Sequence, residues 1–134
     1  MRGFEAVEIG HVVSDLRDMA AAPRQPDDGA PAARLLFKPD FAQALTDVRP
    51  GDRMLLLTWL DRADRSRLRA RRGWDLAGPE MGIFSTRSPD RPNPIGVHHV
   101  TVSGVEGCTV MVEALEAIDG TPILDLKPEL RGAG

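Results

Sequence analysis

The sequence predicts a mainly β domain whose strands close, wholly or in part, into a barrel. Short apolar stretches recur along the chain, turn-forming Gly, Pro and Asp residues separate them, and one segment has the spacing of a helix. These patterns give about six or seven short strands and one short helix. With 134 residues, 42% of them hydrophobic and 28% charged, the chain has the size and composition of one globular domain covering residues 1–134.

The first half of the chain contains three predicted strands and the helix. Val7 to Ser14 forms the first strand, and the stretch from Asp15 to Pro31, rich in Ala, Pro, Asp and Gly, forms a long loop. Ala33 to Phe37 forms the second strand, and the apolar spacing from Pro39 to Val48 predicts a short amphipathic helix. The continuous apolar run from Met54 to Leu60 predicts a strand that is buried on both faces.

The second half of the chain adds three more strands. Val97 to Val102 has an extended pattern, and Gly104 to Gly107 predicts a hairpin turn into a strand from Cys108 to Ala114. Alternation in that strand predicts that Cys108, the single cysteine, is a buried structural thiol. Asp119-Gly120 predicts a tight turn, after which Ile123 to Leu126 forms the last strand.

Missing patterns argue against several classes of protein. The chain has no apolar run near about 20 residues and no basic-then-apolar start, so we expect no membrane span, no signal peptide and a cytoplasmic location. It lacks both G-x-G-x-x-G after a strand and G-x-x-x-x-G-K-[ST], which leaves a Rossmann site and a P-loop unsupported. His98 and His99 are neighbours in a predicted strand and point to opposite faces, so we expect no metal site.

Charge is unevenly distributed along the chain. The formal net charge is −3, so any contact with nucleic acid must be local. Six arginines and two aspartates lie between Asp61 and Arg72. This arginine-rich segment is either a solvated surface or a phosphate-binding patch, and the pattern alone does not choose between them.

A second conspicuous segment is the proline loop, residues Thr86 to Asn93. Ser88, Arg91 and Asn93 each precede a proline, which restricts them to extended geometry before any tertiary contact forms. A rigid loop that presents guanidinium and amide groups is a pre-formed recognition surface. No simple connecting loop requires that combination of residues.

Two further polar segments accompany the proline loop. Pro23-Arg24-Gln25 lies in the long loop after the first strand, and Asp119-Gly120-Thr121-Pro122 precedes the last strand. Asp125 and Lys127 are two apart on that strand, so their side chains face the same side. They form either part of a site or a surface ion pair.

These segments resemble the TrmO/TsaA family. The similarity is carried by Phe84 to Gly96, by Asp119 to Pro128 and by Pro23-Arg24-Gln25, with Ile9-Gly10 in the expected place near the start. It spans nearly the whole chain, from about residue 6 to about residue 128. Two departures stand out: His11 to Asp15 replaces the usual basic-Ser-Pro step, and Glu129 stands where the family commonly has an aromatic residue.

The resemblance implies a small single-sheeted β-barrel that forms a homodimer and binds S-adenosylmethionine. The implied activity is methylation of the exocyclic amine of threonylcarbamoyl-adenosine beside the tRNA anticodon. An amine that carries a carbonyl substituent is a poor nucleophile, so a general base would assist its attack. Our candidates are Asp125 and Asp119 as the base, with Lys127 and Asn93 orienting the substrate. The cofactor contacts implied by the motifs are Pro23, Arg24, Gln25, Asp61, Arg62, Arg87, Asp119, Gly120, Thr121 and Pro122.

Two alternatives remain open. The acidic balance and Glu129 are consistent with a methyltransferase that acts on a small metabolite instead of tRNA. A cofactor-binding module without catalytic activity is the other alternative, and the aromatic content of 4% provides few platforms for stacking bases.

Overall fold

Strands dominate the computed structural model, which describes residues 1–17, 29–73, 75 and 77–130. Two 3₁₀ helices occur within those ranges, Pro39–Leu45 and Ile83–Ser85. No helix in those ranges is both long and apolar enough to cross a membrane. The strands are β1 (Gly10–Val13), β2 (Ala33–Phe37), β3 (Arg53–Trp59), β4 (Arg69–Ala70), β5 (Met81–Gly82), β6 (Ile95–Glu106), β7 (Thr109–Val112) and β8 (Pro122–Pro128).

Six of the strands form one antiparallel sheet in the order β1-β2-β7-β6-β3-β8. Gly10 of β1 pairs with Ile123 of β8, which joins the two edges and closes the sheet into a barrel. The short strands β4 and β5 pair with each other outside this sheet. The predicted mainly β architecture is therefore confirmed.

The barrel interior is filled by aliphatic side chains from every strand of the sheet. On β3, Met54 and Leu56 are buried, whereas Leu55 and Leu57 on the opposite face are only partly buried. The prediction of a strand buried on both faces is wrong for the single chain, because the wall of a barrel has one inner face. Burying a Leu or Val side chain contributes roughly 1.5–3 kcal/mol. The fully buried aliphatic residues include Val12, Leu35, Leu56, Val102, Val110, Val112, Leu115 and Ile123.

Several predicted boundaries shift. The first strand begins at Gly10, and Val7 is 61% exposed. The predicted amphipathic helix is a 3₁₀ helix in which Leu45 is the buried residue. β6 continues to Glu106, so the hairpin turn falls at Gly107, whose φ of 60° suits glycine. Cys108 therefore lies beside the turn and is partly buried, which corrects the prediction of a buried structural thiol.

The topology brings three connections to the same end of the barrel. β1, β3 and β7 run in one direction, because each is separated from the next by one antiparallel strand. The connections that follow them, residues 14–32, 60–94 and 113–121, therefore leave the same end. We call this the motif end, because the proline loop and the turn at Asp119 lie in these connections or at their edges. The connection of residues 38–52 and the turn at Gly107 lie at the opposite end.

Candidate functional site

The turn at Asp119 is fastened to the end of β1. The Asp119 N–H donates to the carbonyl of Leu16 over 2.6 Å, and the Gly120 N–H donates to that of Val12 over 2.7 Å. Asp119 Oδ1 accepts from the Ser14 N–H over 2.9 Å. Gly120 has a φ of 84°, which a side chain would oppose. The turn therefore has a fixed position at the start of the β1 connection.

Arg17 links this turn to the connection after β3. Its Nη1 lies 3.0 Å from Asp119 Oδ2, and Nη1 of Arg62 lies 3.5 Å from the Arg17 carbonyl oxygen. Two of the predicted cofactor contacts, Arg62 and Asp119, thus meet around a residue that sequence reasoning missed. Residues 102 positions apart form this pair, so no local pattern could have predicted it.

The proline loop is braced from inside by Arg91. Its Nη1 donates to the carbonyl oxygens of Thr86 and Ser88, each over 3.0 Å. The buried Thr86 hydroxyl donates to the carbonyl of Ile83 over 2.9 Å. Arg87, in contrast, is exposed, and no contact of its guanidinium is recorded within the described residues. One arginine of the loop therefore holds its shape and the other remains available to a ligand.

Arg65 positions Asn93, one of the predicted catalytic residues. The Arg65 guanidinium lies over the Trp59 ring, 5.1 Å from its centroid. It donates to the Pro92 carbonyl over 2.8 Å and to Asn93 Oδ1 over 3.3 Å. Because Oδ1 accepts this bond, the side-chain amide nitrogen of Asn93 is the group left to donate to a substrate.

The arginine-rich segment uses its side chains to fix the connection between β3 and β6. Arg69 donates to the Glu80 carbonyl, Arg71 to that of Gly78 and Arg72 to that of Ser85, over 3.1, 2.8 and 3.3 Å. A carbonyl oxygen does not neutralise a guanidinium, so the bonds of Arg69 and Arg71 order these two exposed side chains while leaving their positive charge in place. The binding of phosphate by this segment stays a prediction.

Asp64 is one of the two aspartates in this segment. The Ser66 hydroxyl donates to its Oδ1 over 2.6 Å, and the Ser66 N–H does so over 2.9 Å. The side-chain bond from Ser66, then the backbone bond, then the charge of Arg67 lower the pKa of Asp64 below its ordinary value. Asp64 is therefore ionised at neutral pH, and the arginines outnumber the aspartates in the segment.

Asp125 and Lys127 lie on β8, away from the motif end. They face the same side, as predicted, and Lys127 Nζ lies 2.7 Å from Asp125 Oδ2, with 56% and 45% of the side chains exposed. Asp125 also borders a cleft of about 730 Å³ at the opposite end of the barrel, together with Phe41 and Glu129. None of the predicted cofactor contacts on the described residues lines that cleft.

The structure thus brings some predicted residues together and separates others. Arg62 and Asp119 share Arg17, and Gly120, Thr121 and Pro122 follow Asp119 at the same end. Pro23, Arg24 and Gln25 lie outside the described residues. Asp61, Arg87 and Asn93 lie in the connection between β3 and β6, whereas Asp125 and Lys127 form their own pair. Over the described ranges, no cluster of three or more His, Cys, Asp and Glu residues has the arrangement of a metal site.

Comparison with known families fits this geometry. The family model of the tRNA-methyltransferase O N-terminal domain matches residues 11–133. The chain belongs to this family. The TrmO-family match includes all three connections at the motif end.

Relatives and a solved structure of the TrmO family agree with the assignment. A probable S-adenosyl-L-methionine-binding protein of Archaeoglobus fulgidus is 36% identical over 121 residues, which are 90% of this chain and 32% of that protein. The tRNA (adenine(37)-N6)-methyltransferase of Mus musculus is 51% identical over 53 residues, 40% of this chain and 12% of that protein. The crystal structure of TrmO from Pseudomonas aeruginosa superimposes with a TM-score of 0.77 at 30% identity, covering 97% of this chain and 56% of that one. The chain therefore spans about a third of the first relative and just over half of the TrmO chain.

Proposed function

We propose that the protein is an S-adenosylmethionine-dependent methyltransferase that acts on adenosine in tRNA. The observation that carries the proposal is the convergence of the motif-bearing connections at one end of the barrel, where Arg17 joins Asp119 to Arg62. The family match and the methyltransferase names of the relatives support the same activity. We further propose that the methyl acceptor is the exocyclic amine of threonylcarbamoyl-adenosine next to the anticodon, and that residues 1–134 act as one cytoplasmic domain.

The residues at the motif end fit the chemistry of the cofactor. S-adenosylmethionine supplies an electrophilic methyl group and carries a carboxylate and a nucleoside. Arg87 has an exposed guanidinium, which suits a carboxylate through two parallel hydrogen bonds. Asp119 already accepts from Ser14 and Arg17, so its part is to hold the turn from Gly120 to Pro122 in place. Methyl transfer is an in-line displacement, for which a rigid site supplies much of the advantage by positioning.

The residues proposed to act on the substrate are Asn93, Asp125 and Lys127. Asn93 is held by Arg65 in a position to orient a substrate. Asp125 is paired with Lys127, but an exposed ion pair contributes only about 0–1 kcal/mol, so a substrate could separate the two side chains. Both Asp125 and Lys127 stay predictions.

Replacing Asp125 with Asn tests its role. Loss of a general base lowers kcat by about 10²–10⁴-fold, and cofactor affinity should not change because Asp125 is not one of the predicted cofactor contacts. Single-turnover methylation and calorimetric titration of the cofactor measure the two quantities. Lys127→Met breaks the same ion pair and tests the predicted substrate-orienting role of Lys127, and unchanged kcat in Asp125→Asn assigns Asp125 to the surface pair alone.

We propose that two copies of the chain form a homodimer through the outer face of β3 and β6. Leu57 pairs with Val97 and Trp59 pairs with Ile95, so these apolar side chains form one patch on the outside of the barrel. Ile95 is 44% exposed and Val97 is 39% exposed. A contiguous apolar patch of this kind is typical of a protein interface. A second copy of the chain would bury the outer face of the stretch from Met54 to Leu60, which the sequence predicted to be buried on both faces.

The activity is tested by following a labelled methyl group. The protein is incubated with labelled S-adenosylmethionine and, in parallel, with tRNA that carries threonylcarbamoyl-adenosine, tRNA that lacks it, and a metabolite extract. Label in the first tRNA alone supports the proposal. Label in a small molecule selects the metabolite alternative, and binding without transfer to any acceptor selects a non-catalytic binding module.

A further inference from the structure

Three polar side chains form a buried cluster inside the otherwise aliphatic barrel. The Thr58 hydroxyl lies 2.7 Å from His98 Nε2, and His98 Nδ1 lies 2.6 Å from Glu116 Oε1. Thr58 is fully buried, and the side chains of His98 and Glu116 are 7% and 9% exposed. Burying such groups is costly unless they are bonded to one another, so the cluster requires an explanation beyond packing.

Each member of the cluster stands close in sequence to a motif at the motif end. Thr58 is on β3, just before Asp61 and Arg62, and His98 is on β6, just after the proline loop. Glu116 lies in the connection of residues 113–121, just before the Asp119 turn. The cluster therefore joins, inside the barrel, the chain segments whose outer ends carry the proposed cofactor contacts.

The two bonds of the cluster have different structural importance. Thr58 and His98 lie on strands that the backbone already pairs, since Thr58 is opposite Gly96 in the β3–β6 ladder. The bond from His98 to Glu116 instead connects the barrel wall to a connection that is not part of the sheet. Of the two bonds, it is the one that anchors the connection to the wall, three residues before the turn at Asp119.

The surrounding backbone is shaped to admit the cluster. A Cβ at Gly96 would overlap Thr58 Oγ1 and would lie 2.7 Å from His98 Nε2, so only glycine leaves room for this bond. Glu116 Oε2 is buried and accepts no hydrogen bond within the described part of the chain. Buried carboxylate oxygens normally have a donor, so packing alone does not account for a carboxylate at this position.

We infer that His98 and Glu116 are positioning residues for the proposed methyl transfer, because their bond holds the Asp119 turn in the geometry that binds the cofactor. The inference rests on the proposed function. Thr58 orients the His98 ring from the other side and has a secondary role. Neither His98 nor Glu116 contacts the reacting atoms in this assignment.

Replacing His98 with Gln or Asn separates the two bonds. A Gln side chain reaches the position of Nε2 and keeps the bond to Thr58, whereas Asn reaches the position of Nδ1 and keeps the bond to Glu116. We expect His98→Gln and Glu116→Met, which has no oxygen to accept from Nδ1, to weaken cofactor binding by about 10- to 100-fold, the range by which removing the hydrogen-bonded support of a metal ligand lowers affinity. His98→Asn and Thr58→Val should change cofactor affinity much less. Wild-type affinity in Thr58→Val would show that the bond from His98 to Glu116 does not depend on the bond from His98 to Thr58.

The neighbouring pair on the outer face is the matched control. His99 Nδ1 lies 3.2 Å from Glu129 Oε2, and the His99 side chain is 64% exposed. His99→Gln and Glu129→Met remove the same kind of bond at the surface and should leave cofactor affinity unchanged. Thermal unfolding of every variant identifies any that fail to fold, and Glu116→Met, which is similar in size, is the variant that keeps the test available if His98→Gln is unstable.

Calorimetry with S-adenosylhomocysteine, combined with kcat and KM for the cofactor, decides the inference. A raised Kd and KM in His98→Gln and Glu116→Met, with the Asn variant near wild type, supports it. If folded His98→Gln and Glu116→Met bind as tightly as wild type, the inference is overturned while the proposed function stands. If the wild-type protein itself shows no binding, the proposed function fails, and the inference fails with it.

Discussion

Arg87 and Arg91, four residues apart in the proline loop, have different roles. Arg91 is partly buried and gives both of its recorded bonds to carbonyl oxygens of the loop itself. Arg87 is exposed, with no recorded contact in the described residues. We therefore expect Arg91 to affect folding and Arg87 to affect binding.

Substituting each arginine with Ala separates these roles. Arg91→Ala should lower the free energy of unfolding by about 1.5–3 kcal/mol, because two charge-assisted hydrogen bonds to partly buried carbonyls are lost. Arg87→Ala should leave stability unchanged and weaken cofactor binding by about 10- to 100-fold. Urea denaturation and calorimetry measure the two effects, Arg87→Lys tests whether charge alone suffices, and unchanged affinity in Arg87→Ala would remove this residue from the site.

Sequence reasoning identified residue types at the motif end but not their partners. The proline loop and the Asp119 turn are recognisable because proline and Asp-Gly restrict the local backbone. Arg17 and Arg65 were missed as individual residues, since their bonds to Asp119 and Asn93 join positions distant in sequence. Glu116 and His98 were missed as a pair for the same reason, and the sequence could establish only that His98 and His99 face opposite sides.

At the level of elements, strands were easier to locate than turns. β2 has the bounds that its alternating pattern predicts, and β8 lies where the sequence placed the last strand, although it begins a residue earlier and reaches Pro128. The hairpin after β6 was placed too early, because the register shift between Val102 and Gly104 allows the strand to continue past a glycine that normally marks a turn. The helix was predicted in the right place, but its backbone closes i→i+3 bonds, which side-chain spacing does not distinguish from α-helical ones over so short a segment.

Gly107 and Gly120, two of the four positive-φ glycines in the described residues, provide a test at this scale. Alanine at either position should cost about 1–2 kcal/mol of stability, because a left-handed conformation opposes a Cβ. Only Gly120→Ala should also weaken cofactor binding, since Gly120 lies in the motif-end turn and Gly107 lies at the opposite end. Urea denaturation with calorimetry of both variants measures this contrast, and equal effects on binding would show that the Asp119 turn has no special part in the site.

At the level of the whole molecule, the net charge is negative but one region of the sequence is locally positive. The net charge is −3, yet six arginines against two aspartates are concentrated between Asp61 and Arg72, at the motif end. A protein with this distribution would be repelled by RNA over most of its surface and attracted at one end. We expect such an arrangement to orient a tRNA as it approaches.

Salt dependence tests that expectation. Arg67→Ala removes an exposed charge next to Asp64 and should reduce the slope of log K against log salt for tRNA by about 1, if Arg67 contacts one phosphate. Lys38→Ala removes an exposed charge from the opposite end and should leave the slope unchanged. Filter binding at several salt concentrations gives the slopes, and a wild-type affinity insensitive to salt would favour an uncharged small-molecule substrate.

The proposed dimer is tested through the apolar patch on β3 and β6. Val97→Asp places a charge on a side chain that is 39% exposed in the single chain, so the barrel should still fold while a dimer buried at this patch should dissociate. Sedimentation velocity compares it with Leu68→Asp, which alters another exposed apolar residue outside the patch. A Val97→Asp dimer as stable as wild type would place the interface elsewhere.

Strand direction around the barrel has a practical consequence. β1 begins and β8 finishes at the end remote from the three long connections. A tether attached before Gly10 or after Pro128 would leave the motif end pointing away from a sensor surface. Protein immobilised through such a tether should therefore bind tRNA as tightly as protein free in solution does. The same tether can then be used for every variant when binding kinetics are measured on a sensor surface.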